Sequence, residues 1–130
     1  MREARRGTAR GRLAGMILQL DIQRPAAGVA IVRCIGALTL GTSLHAADAQ
    51  LQKLIENGAA KVVVNMAEVP YMDSAGLGVL VQASGLAKQR GGDLRLCGAA
   101  ERVAELIKMT RTDGLLPMDA DEEASLAALA

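Results

Sequence analysis

Aromatic residues are almost missing from this sequence: its 130 positions hold one tyrosine, Tyr71, and no phenylalanine or tryptophan. Proteins that bind single-stranded nucleic acid stack bases on aromatic faces, so that function class lacks its main device here. A core has to be built from Val, Ile, Leu, Ala and Met instead. Histidine is nearly as scarce. His45 stands alone, at the start of an expected helix where it should be solvated, and a serine hydrolase would have no other imidazole to serve as its base. The two cysteines, Cys34 and Cys97, sit inside apolar runs with no further Cys or His at metal-ligand spacing. That pattern fits buried reduced thiols in a cytosolic protein better than a disulfide or a redox sensor. No apolar run approaches the roughly 18 residues that suggest a membrane span. The Arg-rich start also lacks the apolar stretch of about 7 to 15 residues that a secretory signal needs. The expectation is a cytoplasmic chain with no metal, no cofactor and no membrane insertion.

The formal net charge of +1 conceals an asymmetry. Residues 1–15 carry Arg2, Arg5, Arg6, Arg10 and Arg12 against Glu3, a local charge of +4, which leaves −3 for the rest. The part expected to fold therefore has no basic excess to attract phosphate backbones or anionic lipid. A chain of this length fits one domain. Residues 1–15 show no sustained hydrophobic period and read as a disordered tail, with a nucleic-acid-binding arm as the sharper alternative for five arginines. Residues 16–130 read as the domain, and nucleic acid is not an expected partner.

Within the domain, Leu18, Leu20 and Ile22 alternate with Gln19, Asp21 and Gln23, a period-2 strand expected to stop at Pro25. Gly28 marks a turn into the apolar run Val29–Ile35, which completes a hairpin. Over residues 42–57, Leu44, Ala47, Leu51, Leu54 and Ile55 share one helical face, with Thr42 or Ser43 as cap and Gly58 as stop. Val62, Val63 and Val64 suit a strand buried on both faces. A second helix is expected over residues 74–90, closed by Gly91-Gly92, and feeds a strand over residues 94–97. In the third helix Val103, Leu106 and Ile107 point inward and Glu101 and Arg102 outward, with Met109 read as core. Leu115-Leu116 is expected as a last short strand, and residues 121–129 as a closing helix whose Asp121, Glu122 and Glu123 oppose its N-terminal dipole. Strands alternating with helices imply right-handed crossovers and a mostly parallel sheet.

The segment Tyr71-Met72-Asp73-Ser74-Ala75-Gly76-Leu77-Gly78 joins a buried strand to a helix and is chemically unusual. Ser74 occupies the expected N-cap position. Gly76 and Gly78 fall in the first turns of the helix, where each is less favourable than Ala by up to about 1 kcal/mol. Either they leave backbone amides open to an anion or partner at the positive end of the helix dipole, or they let the helix pack closely. Met72 and Leu77 divide in the same way between partner contact and core. Catalysis is not expected. A P-loop needs Lys after its closing Gly, where Val79 follows Gly78, and a nucleophile elbow needs Gly where Met72 stands.

At these residues the sequence resembles the STAS domain family, in particular its stand-alone bacterial anti-sigma factor antagonists. The resemblance rests on Val62-Val63-Val64-Asn65-Met66, the run from Val69-Pro70-Tyr71 through Ser74 to Val79-Leu80, and Gly91-Gly92-Asp93-Leu94-Arg95-Leu96-Cys97. It implies an α/β fold: a small mixed, mostly parallel sheet with an N-terminal β-hairpin and about four helices. It also implies a phosphorylation-controlled partner switch. Ser74 would be phosphorylated by an anti-sigma factor with a histidine-kinase-like ATPase fold, restored by a phosphoserine phosphatase, and bound by the anti-sigma factor only when unphosphorylated. The partner surface implied is Thr39, Asn65, Met72, Asp73, Ser74, Ala75, Gly76 and Leu77. Thr39 departs from the pattern, because many phosphorylatable members carry Asp there. The alternative is a STAS scaffold or transporter-accessory module that keeps Ser74 only as a helix cap.

Overall fold

The alternating residues near the start form β1 (Gln19–Ala26), paired antiparallel with β2 (Val29–Ile35) in the expected hairpin. The computed structural model describes residues 17–130; the expected tail, residues 1–15, and Met16 lie outside them. Gly28 makes the turn at φ 78°, in the left-handed region that glycine enters without a steric penalty. Pro25 does not stop the strand. β1 lies at the sheet edge, where a missing N–H removes no necessary ladder bond, and the register merely shifts between Gln23 and Ala26.

After the hairpin come α1 (Thr42–Glu56), β3 (Lys61–Glu68), α2 (Ser74–Gln89), β4 (Asp93–Cys97), α3 (Glu101–Met109), β5 (Met118–Asp119) and α4 (Glu122–Leu129). The five strands lie in sequence order, with β2 to β5 parallel. Each crossover steps in the same direction, so a common right-handed sense puts α1, α2 and α3 on one face. The main core lies there, with Leu44, Leu51 and Ile55 of α1, Leu77 and Leu80 of α2, and Val103 and Ile107 of α3 packed on Val32, Val62, Val64, Leu94 and Leu96. The eight residues of α4 cover the other face, where Leu126 and Leu129 meet Ile31, Val63 and Cys97. Val62, Val63 and Val64 are fully buried, as a strand covered on both faces requires.

Several local expectations are corrected. Gly41, rather than Thr42 or Ser43, is the N-cap of α1, and no side chain caps that helix. The Ser43 hydroxyl is used elsewhere, accepting the Leu18 N–H at 3.3 Å. Leu54 is only partly buried. Leu115-Leu116 is a turn. Leu116 is a fully buried plug, Ser84 of α2 donates to the Leu115 carbonyl at 3.0 Å, and the last strand begins only at Met118. Met109 is 82% exposed. It lies two residues beyond Ile107, about 200° around the helix from the buried face.

Candidate partner-binding site

The carboxyl ends of β2 and β3 lead into two loops that run side by side. Leu38 and Met72 form an isolated parallel bridge between them. Leu38 donates its N–H to the Tyr71 carbonyl at 3.2 Å and accepts the Asp73 N–H at 3.1 Å. The side chain of Asp73 completes the junction. Its Oδ1 accepts the Gly76 N–H at 3.0 Å and its Oδ2 accepts the Leu40 N–H at 2.9 Å. Asp73 therefore is the N-cap of α2, with extended backbone at φ −107°, and the expectation that Ser74 caps the helix is corrected. A carboxylate with two acceptor oxygens satisfies a helix amide and a loop amide at once, which a single hydroxyl at the next position does not. Ser74 is the first residue of α2 and is exposed.

The two glycines divide between the two readings. A Cβ on Gly76 would lie 2.1 Å from the Leu38 carbonyl oxygen, so Gly76 is there because α2 rests directly on the neighbouring loop. Gly78 has nothing within 4 Å of the equivalent point and lies on open surface. Met72 and Leu77 are buried members of the main core, so packing accounts for both. Ala75 is half-buried beside the exposed Ser74, and Thr39 is half-buried between Leu38, a core residue, and Leu40, which is 72% exposed. Tyr71 is 46% exposed on the adjoining loop. Leu40 was not among the expected partner residues, although an apolar residue between Thr39 and Gly41 that belongs to neither the strand alternation nor the helical stripe was a readable signal.

Asn65 is drawn into a different cluster. It projects from β3 on the α4 face, donates from Nδ2 to Glu122 Oε2 at 2.7 Å and accepts the Ala67 N–H at 2.9 Å. Arg33 makes a bidentate pair with the same Glu122, at 2.7 and 2.8 Å. These residues line a cavity of about 850 Å³ together with Cys97, Asp121 and Leu126. Next to it Arg95 pairs with Asp119, which also accepts the Ser125 hydroxyl. This network pins the short α4 to the sheet. Sequence reasoning missed Arg33 and Glu122, which are 89 positions apart and carry no local pattern linking them.

The electrostatics around Ser74 follow from these contacts. The amides of Leu40 and then Gly76 hold the Asp73 carboxyl below its ordinary value. It is therefore ionised at neutral pH, engaged by two donors, and a poor proton acceptor for its neighbour. His45 is exposed on α1. Cys34 faces the main core and Cys97 the α4 side, both as free thiols, and burial pushes them up to about 12 and about 11. Among the described residues no cluster of His, Cys, Asp or Glu is grouped to hold a metal ion.

The site is thus an exposed serine at the start of a 16-residue helix in a small α/β module, beside a carboxylate engaged by two backbone amides. The chain belongs to the STAS domain family, whose model matches residues 22–125. It is 30% identical over 115 residues to the anti-sigma F factor antagonist of Paenibacillus polymyxa, covering 88% of this chain and 97% of that protein. Among solved structures, the anti-sigma factor antagonist SpoIIAA in its unphosphorylated form superposes with a TM-score of 0.71 at 18% identity, over 82% of this chain and 92% of that one. The phosphorylated form of the Bacillus cell fate determinant SpoIIAA gives 0.68 at 14% identity, over 85% and 99%. The fold is thus the expected one: a five-stranded, mostly parallel sheet with an N-terminal hairpin.

Proposed function

We propose that this chain is an anti-sigma factor antagonist, a cytoplasmic partner-switching module whose switch is phosphorylation of Ser74. The observation that carries the reading is the exposure of Ser74 at the first position of α2, on a surface made rigid by Asp73. The unphosphorylated surface binds an anti-sigma factor of histidine-kinase-like ATPase fold, which supplies the base that takes the Ser74 hydroxyl proton and, from its bound ATP, the γ-phosphoryl group, with ADP as the leaving group. A separate phosphoserine phosphatase returns the chain to its binding form. No helix among the described residues is long and apolar enough to cross a membrane.

Phosphorylation adds about −1.5 to −2 charges and three acceptor oxygens. Negative charge at a helix start is favourable by about 0.3 to 1 kcal/mol, so the fold survives the modification. A partner packed over Ser74 instead meets new bulk and a dianion beside the ionised Asp73. It is rejected without any unfolding of the antagonist. The contact surface centres on Thr39, Ser74, Ala75 and the exposed edge of Gly78, with Met72, Asp73, Gly76 and Leu77 shaping it from beneath. Asn65 contributes indirectly, by holding the β3 end against α4.

The test is a pull-down with wild-type and Ser74→Ala protein from the native cell, followed by calorimetric titration of the captured kinase with Ser74→Ala and Ser74→Asp. Ser74→Ala is expected to bind and Ser74→Asp to bind poorly, with both folded. If Ser74→Asp binds as wild type does, the scaffold reading replaces the switch.

A further inference from the structure

A leucine left 72% exposed on a hydrogen-bonded loop adds little to the stability of the fold. Among the described residues the large hydrophobic side chains left exposed are Ile17, Leu40, Tyr71, Met109 and Leu115, and two of these, Leu40 and Tyr71, lie on the paired loops that flank Ser74. Leu40 is also held in place from both sides. Its N–H is fixed by Asp73 Oδ2, Leu38 before it is bonded to the Tyr71 and Asp73 backbone, and Gly41 after it accepts the His45 N–H at 3.1 Å as the first bond of α1. The backbone that carries this side chain is held before any partner arrives, so docking onto it does not have to order the loop.

We infer that Leu40, supported by Tyr71, is the apolar anchor through which this surface selects its anti-sigma kinase. The inference rests on the reading of Ser74 as the phosphorylated residue. A kinase that brings its phosphoryl donor to Ser74 has to cover the start of α2, and the Leu40 amide is one hydrogen bond away from the residue preceding Ser74. The neighbouring positions Thr39, Gly41, Thr42, Ala75, Gly76 and Gly78 are uncharged, and the carboxylate of Asp73 is engaged by two amides. The complementary partner surface is therefore an apolar pocket flanked by neutral groups, and recognition here does not depend on ion pairing.

The experiment titrates the purified kinase that phosphorylates the wild-type chain with Leu40→Ala, Tyr71→Ala and Ser74→Asp, at low and high salt, alongside thermal melts. Leu40→Ala is expected to weaken binding about tenfold or more, Tyr71→Ala less, equally at both salt concentrations, with the melting midpoint of Leu40→Ala within about two degrees of wild type. Wild-type affinity for Leu40→Ala overturns the anchor while leaving the switch intact if Ser74→Asp still fails to bind. Weakened Leu40→Ala beside fully binding Ser74→Asp keeps the anchor and removes the switch. A large drop in the Leu40→Ala midpoint assigns Leu40 to packing and overturns the inference. Sedimentation showing a wild-type dimer that Leu40→Asp dissociates places a second copy of the chain on the patch, and overturns it too.

Discussion

Replacing Asp73 by Ala removes two hydrogen bonds at one stroke, the 3.0 Å cap on the Gly76 amide and the 2.9 Å tie to the Leu40 amide. Loss of an N-cap side chain costs about 0.5 to 2 kcal/mol. The Leu40 amide is exposed, so water replaces most of the second bond and adds little to that figure. With a destabilisation of about 1 to 2 kcal/mol, a domain of this size should melt roughly 4 to 8 °C lower. Ser74→Ala should move the midpoint far less, within about 0.5 kcal/mol, because the Ser74 hydroxyl is exposed and is not the cap. The contrast depends on pH with a definite sign. The Asp73 carboxyl is held below its ordinary value by the Leu40 and Gly76 amides, so its contribution is fully present above the unfolded value of about 3.9. It fades as pH falls through the lower folded value. Differential scanning calorimetry of wild type, Asp73→Ala and Ser74→Ala, at pH 7 and again near pH 3, reads all of this directly. An equal or larger drop for Ser74→Ala at pH 7, or a gap between wild type and Asp73→Ala that widens in acid, would refute the assignment of the cap.

Gly76→Ala should destabilise the protein by about 1 to 3 kcal/mol despite the better helix propensity of Ala, because its Cβ would lie 2.1 Å from the Leu38 carbonyl oxygen. Gly78→Ala, with open space around it, should instead stabilise by up to about 1 kcal/mol; chemical denaturation of the pair measures both, and equal shifts would contradict the packing described for Gly76. Cys34, pushed up to about 12 by burial in the main core, should be protonated at pH 8 and react with a thiol reagent only as fast as the protein unfolds; rapid labelling of Cys34 in the native state would show that the sheet opens locally.

Much of this protein could be read from local pattern. The alternation of Leu20 and Ile22 with polar residues, the stripe Leu44, Ala47, Leu51 and Ile55, and the run of three valines each carry their own period, and periodicity reports which face of an element meets the core. With right-handed crossovers the same patterns imply the mostly parallel sheet, and the motif around Ser74 marks the position of the proposed site. What local pattern could not supply was which neighbour satisfies which donor. Ser74 was the expected cap, and the role falls to Asp73, whose first oxygen accepts the Gly76 amide while its second reaches the Leu40 amide, 33 residues earlier. Gly76 was ambiguous until the Leu38 carbonyl was found against it, and Asn65 was expected with Ser74 until Glu122 drew it to the α4 face. Leu115-Leu116 was apolar enough for a strand, yet Leu116 fills the core while the ladder begins at Met118. Short-range sterics and hydrophobic period are encoded within a few residues and so survive in the sequence alone. The pairing of buried polar groups and the close approach of one backbone to another join residues distant along the chain, and only the tertiary structure decides them.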